Sequence, residues 1–253
     1  MKRLQDNVTI ITGGGKGIGF GLASAFAKEG SNLVITGRNE ARLLEAKKKL
    51  EEGYGVKVLA LVADGADEVK IKEVIAKTVD TFGKINTLIN NAQTSKSGLS
   101  LIEHTKEDFD LAINSGLYAT FFYMKEAFPY LKESKGSVIN FASGAGLFGK
   151  LGQSSYAAAK EGIRGLSRVA AAEWGPDGVR VNIIAPLAMT ESLTEWKEAY
   201  PELFANTIQG IPLGRFADPM QDIGRVAVFL ASDDASYVTG ETITLQGGSG
   251  LRP

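Results

Sequence analysis

A doubly wound α/β fold, with a parallel seven-stranded sheet and helices on both faces, is the class the sequence predicts. Three observations predict it. Short β-branched runs alternate with longer helical patterns along the whole chain, as in a parallel sheet with right-handed crossovers. Most strand runs are nearly continuously apolar, the pattern of strands covered on both sides. No linker, low-complexity tract or repeat divides the 253 residues. One domain over 1–253 is therefore expected, although a rule of ~150 residues per domain would also admit two.

The strands are read at Val8–Thr12, Asn32–Thr36, Val56–Leu61, Thr87–Asn90, Ser137–Phe141, Arg180–Ile184 and Glu241–Leu245. Helical spacing lies between them near 18–29, 40–52, 67–82, 105–132, 155–174 and 220–231. One stretch breaks the rhythm. Residues 187–213 hold Trp196, Tyr200, Pro201, Phe204 and Pro212, with helical spacing and no strand. Ligands of open α/β sheets bind beyond the carboxyl ends of strands, so an amphipathic insertion directly after the sixth strand is expected to be a lid.

Composition excludes several chemistries. With 28 basic and 29 acidic residues the chain has no polyanion-binding field, so neither nucleic acid nor an anionic membrane is an expected partner. The amino-terminal apolar run, Val8 to Ile11, is too short for a signal peptide or a membrane span. A cytoplasmic protein is the expectation. No cysteine and a single histidine, His104, leave no disulfide, no Cys/His zinc site and no Cys nucleophile. No metal site is expected. A hydrolase reading is poor, because no G-x-S-x-G occurs and His104 is expected to be an exposed residue at a helix start.

Thr12-Gly13-Gly14-Gly15-Lys16-Gly17-Ile18-Gly19 leaves the first strand and opens a helix. Glycines make the tight turn and let the backbone approach a pyrophosphate, whose charge rests on helix N-terminal N–H groups. Gly13, Gly15, Lys16, Gly17, Ile18 and Gly19 are the expected contacts. The spacing is G-x-x-x-G-x-G, and no Gly-Lys-Ser/Thr follows to make a P-loop. The second strand ends in Ile35-Thr36-Gly37-Arg38-Asn39, with an arginine where NAD sites usually place an acid. Arg38 can fork onto a ribose 2′-phosphate, Lys16 adds a second charge, and Asn39 lies beside them. NADP(H) is the expected cofactor.

Tyr156 and Lys160 fall at i and i+4 on one helical face. A free phenol titrates near ~10. A neighbouring ammonium and a positive nicotinamide stabilise the phenolate, so that tyrosine can exchange a proton with a carbonyl or alcohol oxygen. Ser143 follows the fifth strand at its carboxyl edge, where a hydroxyl can polarise a substrate oxygen. Asn114 stands mid-helix, an unfavourable place that suggests a hydrogen-bonding task.

The ordered set of motifs resembles the short-chain dehydrogenase/reductase superfamily, in its branch of about 250 residues, over essentially the whole length. The set comprises Thr12–Gly19, Asp64 after the third strand, Asn90-Asn91-Ala92, Asn114, Ser143, Tyr156 with Lys160, and Val181–Pro186. Phe229–Asp233 and Tyr237–Gly240 close it. The resemblance implies a Rossmann-type domain with Tyr156 as general acid/base and Ser143 holding the substrate oxygen. Lys160 would lower the tyrosine pKa and bind the nicotinamide ribose, and Asn114 would anchor a water in a proton relay. It also implies Asp64 and Gly65 around the adenine, Asn91 and Ala92 along the ribose, and Pro186, Met189 and Thr190 at the nicotinamide amide. Members are commonly homotetramers, built on the long helices and the last strand.

Two residues depart from the family pattern. Gln93 stands where Asn-Asn-Ala-Gly has glycine, and Leu187 where Pro-Gly has glycine. Gln93 is expected to narrow the pocket, hydrogen-bond a polar substrate or point away, and Leu187 to shape the floor; Gln93, Ser143, Leu147, Gln153, Leu187, Leu193 and Trp196 are the expected lining. The reaction expected is hydride transfer between NADP(H) and a small-molecule carbonyl or secondary alcohol. A 3-oxoacyl-thioester-like ketone and a bulky alicyclic or hydroxysteroid substrate both remain open. The alternative is a catalytically silent dinucleotide-binding sensor or scaffold.

Overall fold

A computed structural model describes residues 2–250 of the chain. Its seven strands form one parallel sheet in the order β3-β2-β1-β4-β5-β6-β7. They are β1 (Val8–Thr12), β2 (Asn32–Gly37), β3 (Val58–Val62), β4 (Thr87–Asn90), β5 (Ser137–Phe141), β6 (Arg180–Pro186) and β7 (Thr242–Leu245). Successive side chains of a strand point to opposite faces, and the register turns that alternation into two cores. Ile10 pairs with Val34 and Leu88, Leu88 with Val138, and Val138 with Val181. All five enter one apolar cluster, and their neighbours Ile11, Ile35, Ile89 and Ile139 enter the other.

The first cluster is closed by α3 (Glu68–Phe82), α5 (Ala119–Ser134) and α7 (Ser154–Trp174). The second is closed by α1 (Gly17–Lys28), α2 (Glu40–Tyr54) and α10 (Arg225–Ala231). Between β3 and β4 the chain crosses the sheet, so the segments that leave the carboxyl ends of β1 and β4 turn to opposite faces. That crevice is the usual ligand position in such folds.

The structure corrects several boundaries. The third strand starts at Val58 rather than Val56, because Asn32 Oδ1 accepts the Lys57 N–H that would have begun the ladder. The sixth runs on to Pro186, since β7 continues to pair with Ala185 and Pro186. The helix expected over 105–132 is broken. After α4 (Lys106–Ala112), residues Ile113–Tyr118 form a π-helical turn before α5 begins. A second π-turn, Pro219–Gly224, precedes α10 and replaces the first half of the helix expected at 220–231. A short helix, α6 (Gly144–Phe148), follows Ser143 where no helix was expected. The rhythm-breaking stretch folds as α8 (Glu191–Ala199) and α9 (Pro201–Gln209) around a small core of Phe204, Ile211 and Phe216. His104 is half-buried rather than exposed, with its ring edge-on to Phe109 at 5.8 Å between centroids.

Candidate active site

A groove of about 550 Å³ lies over the carboxyl ends of β1, β2 and β4 and collects most of the expected cofactor residues. Its floor is the glycine turn. Gly13 and Gly17 adopt φ of 70° and 53°, conformations that favour glycine. Crowding settles Gly19, where a Cβ would lie 2.1 Å from the Gly13 carbonyl oxygen. Lys16 stands at the N-cap of α1 without a side-chain cap, so the first N–H groups of that helix remain available to an anion. The turn is also tied to β4. Thr12 Oγ1 accepts from the Asn91 and Ala92 N–H groups at 3.0 Å each, and Asn91 Nδ2 donates to the Thr12 carbonyl at 3.0 Å. Asn91 and Ala92 thus border the groove by holding the glycine turn in place.

The cationic end is built from Lys16, Arg38 and Arg42, all exposed and all on the groove wall. Arg42 was not singled out from the sequence. Its signal was position, four residues beyond Arg38 in the first turn of α2. Asn39 lines the groove as expected and also caps α2 by accepting the Arg42 N–H at 3.0 Å. Arg38 Nη2 donates to Thr94 Oγ1 at 3.1 Å. Asp64 Oδ1 accepts from Ala66 N–H at 3.0 Å, and Asp64 and Gly65 line the wall opposite β2. Thr190 caps α8 through Leu193 N–H and borders the glycine turn, so the insertion begins against the groove. A cradle in which side chains would collide, an uncapped helix start and three cations together fit a phosphorylated dinucleotide.

Ser143, Tyr156 and Lys160 converge at the end of β5. Lys160 leaves α7 one turn after Tyr156, is 4% exposed, and donates from Nζ to the Phe141 carbonyl at 2.6 Å. Burial depresses its pKa to about 7. Its ammonium lies 5.6 Å from the centre of the Tyr156 ring. Burial pushes the Tyr156 phenol above its ordinary value, and a hydrogen bond with Ser143 pulls the other way. Protein burial alone therefore acts opposite to the lowering expected from the lysine. Ser143 caps α6, its Oγ accepting the Ala145 N–H at 3.1 Å. With that side engaged, the hydroxyl proton is directed at the Tyr156 oxygen, beside which a substrate oxygen would have to sit to receive it instead.

Asn114 is exposed on the first π-turn, which packs against α7, and makes no direct hydrogen bond with Ser143, Tyr156 or Lys160; the task expected of it runs through a water. Gly116 is the buried residue of that turn, and Gln93 lies over it. The expected substrate residues divide. Leu187, Leu193 and Trp196, with Met189, pack on the small core of Phe204, Ile211 and Phe216. Leu147 packs on Ala142, Ile183 and Ala185. Gln153 precedes α7 and accepts from Ser97 Oγ at 3.3 Å. Pro186 closes β6 against Leu245. Among the described residues no group of three or more His, Cys, Asp or Glu is placed to hold a metal.

Comparison with known proteins agrees with this geometry. Residues 13–249 match the family described as enoyl-(acyl carrier protein) reductase. The chain is 60% identical over 252 residues to a 12α-hydroxysteroid dehydrogenase of Clostridium sp., covering 97% of both. It is 38% identical to a 3-oxoacyl-[acyl-carrier-protein] reductase of Thermotoga maritima, covering 97% of this chain and 98% of that one. The crystal structure of levodione reductase superposes with a TM-score of 0.92 at 34% identity, covering 98% of this chain and 99% of that chain.

Proposed function

Since the chain belongs to the short-chain dehydrogenase/reductase family, whose members are oxidoreductases of ketones and alcohols, we propose that it is an NADP(H)-dependent hydroxysteroid dehydrogenase. The substrate class is carried by the 60% identity, end to end, with a 12α-hydroxysteroid dehydrogenase. The 38% identity with a 3-oxoacyl reductase supports the competing ketone less strongly. NADP(H) is supported by Lys16, Arg38 and Arg42 at the end of the groove where a 2′-phosphate would lie. A silent sensor finds no support, because these relatives are named for reductase or dehydrogenase activities.

Bound in the groove, the dinucleotide supplies or accepts the hydride. The chain's own residues do the rest. Ser143 donates its hydroxyl proton to the substrate oxygen and fixes that oxygen beside the phenol. In reduction Tyr156 gives its proton to the oxygen; in oxidation it takes the proton back. Lys160, held by the Phe141 carbonyl, sets the phenol's charge balance and supports the ribose. We read 1–253 as one catalytic domain in which 187–213 forms a lid whose α8 starts at the groove. Exposed Leu111, Tyr118, Phe121 and Val169 on the α4, α5 and α7 region suit a homotetramer. A cytoplasmic location belongs to the same reading; no described helix is long and apolar enough to cross a membrane.

The test is NADPH and NADH oxidation against a panel of 12-oxosteroids, other oxosteroids, 3-oxoacyl thioesters and small cyclic ketones, run with the parent and Tyr156→Phe. Turnover of an oxosteroid with NADPH, falling about 10²–10⁴-fold in Tyr156→Phe, is the expected result. Preference for the thioester would replace the substrate assignment. Equal rates in the two proteins would remove Tyr156 from the chemistry.

A further inference from the structure

The turn after β7 carries a buried polar side chain that the proposed mechanism does not use. Gln246 is 8% exposed, and its Nε2 donates to the Ala185 carbonyl, near the end of β6, at 3.3 Å. The carboxamide also lies against Gly144, the first residue of α6. A Cβ on Gly144 would meet Nε2 at 2.6 Å, Oε1 at 2.9 Å and Cδ at 3.1 Å. The amide thus fills the space in which any side chain at 144 would begin. The chain then folds back over it. A Cβ on Gly250 would lie 2.5 Å from Gln246 Oε1 and 3.2 Å from Phe148 Cε2, on the last residue of α6.

The turn is tied down on both sides. Gly247 and Gly248 adopt φ of 60° and 91°, a conformation open to glycine. Ser249 donates to the Gln246 carbonyl from its N–H at 3.1 Å and from Oγ at 2.8 Å. The Leu213 N–H donates to the Gly247 carbonyl at 3.0 Å, so the far side of the turn rests on the end of the 187–213 insertion.

Ser143 is one peptide bond from Gly144. The helix it caps has five residues, and Ser143 Oγ itself accepts the Ala145 N–H. So short a helix has little stability of its own and takes its place from what packs on it. Whatever moves Gly144 therefore moves Ser143. Neither Gly144 nor Gln246 lines the dinucleotide groove, so the contact bears on Ser143 and not on the cofactor.

We propose that Gln246, lodged against Gly144 and held by the Ala185 carbonyl, is a positioning residue that keeps Ser143 where its hydroxyl reaches the substrate oxygen. The proposal rests on the oxidoreductase reading of the site, in which Ser143 meets that oxygen.

The test compares kcat, KM and NADPH Kd of the parent, Gln246→Ala, Gln246→Met, Ser143→Ala and the Ser143→Ala/Gln246→Ala pair, on the ketone the parent reduces fastest. Gln246→Ala empties the space against Gly144 and is expected to lower kcat about 10–100-fold, with KM and NADPH Kd within threefold. Gln246→Met refills that space and recovers kcat to within about threefold of the parent. In the Ser143→Ala background, Gln246→Ala costs less than about twofold, because the hydroxyl it positions is already gone. Gly144→Ala reaches the contact from the other side and needs no change at Gln246. Its methyl group displaces the amide and lowers kcat about 10-fold. Equal losses from Gln246→Ala in both backgrounds overturn the positioning role, as does an NADPH Kd that rises in step with the loss of kcat. An indifferent Gly144→Ala overturns the packing on which the role stands. A parent that reduces no ketone with either cofactor overturns the function and the positioning role together, whereas a working parent with an indifferent Gln246 overturns the positioning role alone.

Discussion

The glycine-turn groove and the cluster at the end of β5 are built on opposite physical terms. At the glycine turn, the proposed recognition draws on backbone N–H groups and exposed cations, with Gly13, Gly17 and Gly19 shaping the floor and Lys16, Arg38 and Arg42 in water. At the end of β5 the working groups are removed from water. Lys160 is pushed down to about 7 and Tyr156 pushed up, by the same burial. An exposed cation contributes through an ionic contact that salt weakens. A buried one contributes through its protonation state, which packing sets. The comparison teaches that the groove can be re-specified by charge swaps, while the cluster tolerates little change in volume.

Three tests sharpen that contrast, from the largest effect to the smallest. Gly19→Ala drives a Cβ to 2.1 Å from a backbone oxygen that cannot move aside. It is expected to lower Tm by about 5 °C or more and to abolish dinucleotide binding. Gly15→Ala, whose Cβ would meet Leu43 at 3.4 Å, should leave Tm almost unchanged. Equal thermal melts for the two would mean that the turn is not shaped by backbone crowding.

Next, Arg38→Asp should raise the NADPH Kd by about 10–100-fold while leaving NADH within threefold. The penalty should shrink as salt rises, as befits an exposed pair. An unchanged cofactor ratio in fluorescence titration would move phosphate recognition to Lys16 and Arg42.

The smallest expected effect is on stability against pH. The folded protein releases the Lys160 proton near pH 7, and the unfolded chain holds it to about 10.5. Between those values the unfolded state binds more protons, so this group's contribution to stability rises with pH. Below pH 7 both states keep the proton and its full burial cost remains. Lys160→Met should therefore melt a few degrees above the parent at pH 6–7, with the gap closing toward pH 10. A gap independent of pH would show that Lys160 is not desolvated as its burial implies.

Legibility follows the same division. The glycine turn, the Tyr156–Lys160 pair and Ser143 could be read because each depends on residue type at fixed spacing along one element. The π-turn that carries Asn114 could not, because nothing in Ile113-Asn114-Ser115-Gly116 announces the extra residue. Asn39 lines the groove and also caps α2, since the same carboxamide serves both needs. That Leu187, Leu193 and Trp196 pack on Phe204, Ile211 and Phe216 is likewise a partnership no local pattern announces.

Sequence alone determined the parallel α/β order, the position of the glycine turn and the three residues, Ser143, Tyr156 and Lys160, that meet at the end of β5. Each is local: a strand's apolar run, a glycine's missing side chain, a helix's four-residue repeat. The tertiary structure alone decided that Gln93 lies over Gly116, and how far burial shifts Lys160. It also set where the insertion buries its aromatic residues. Those depend on contacts between segments far apart in the chain, such as Gln93 over Gly116 or Lys160 against Phe141, and no local pattern encodes such a distance.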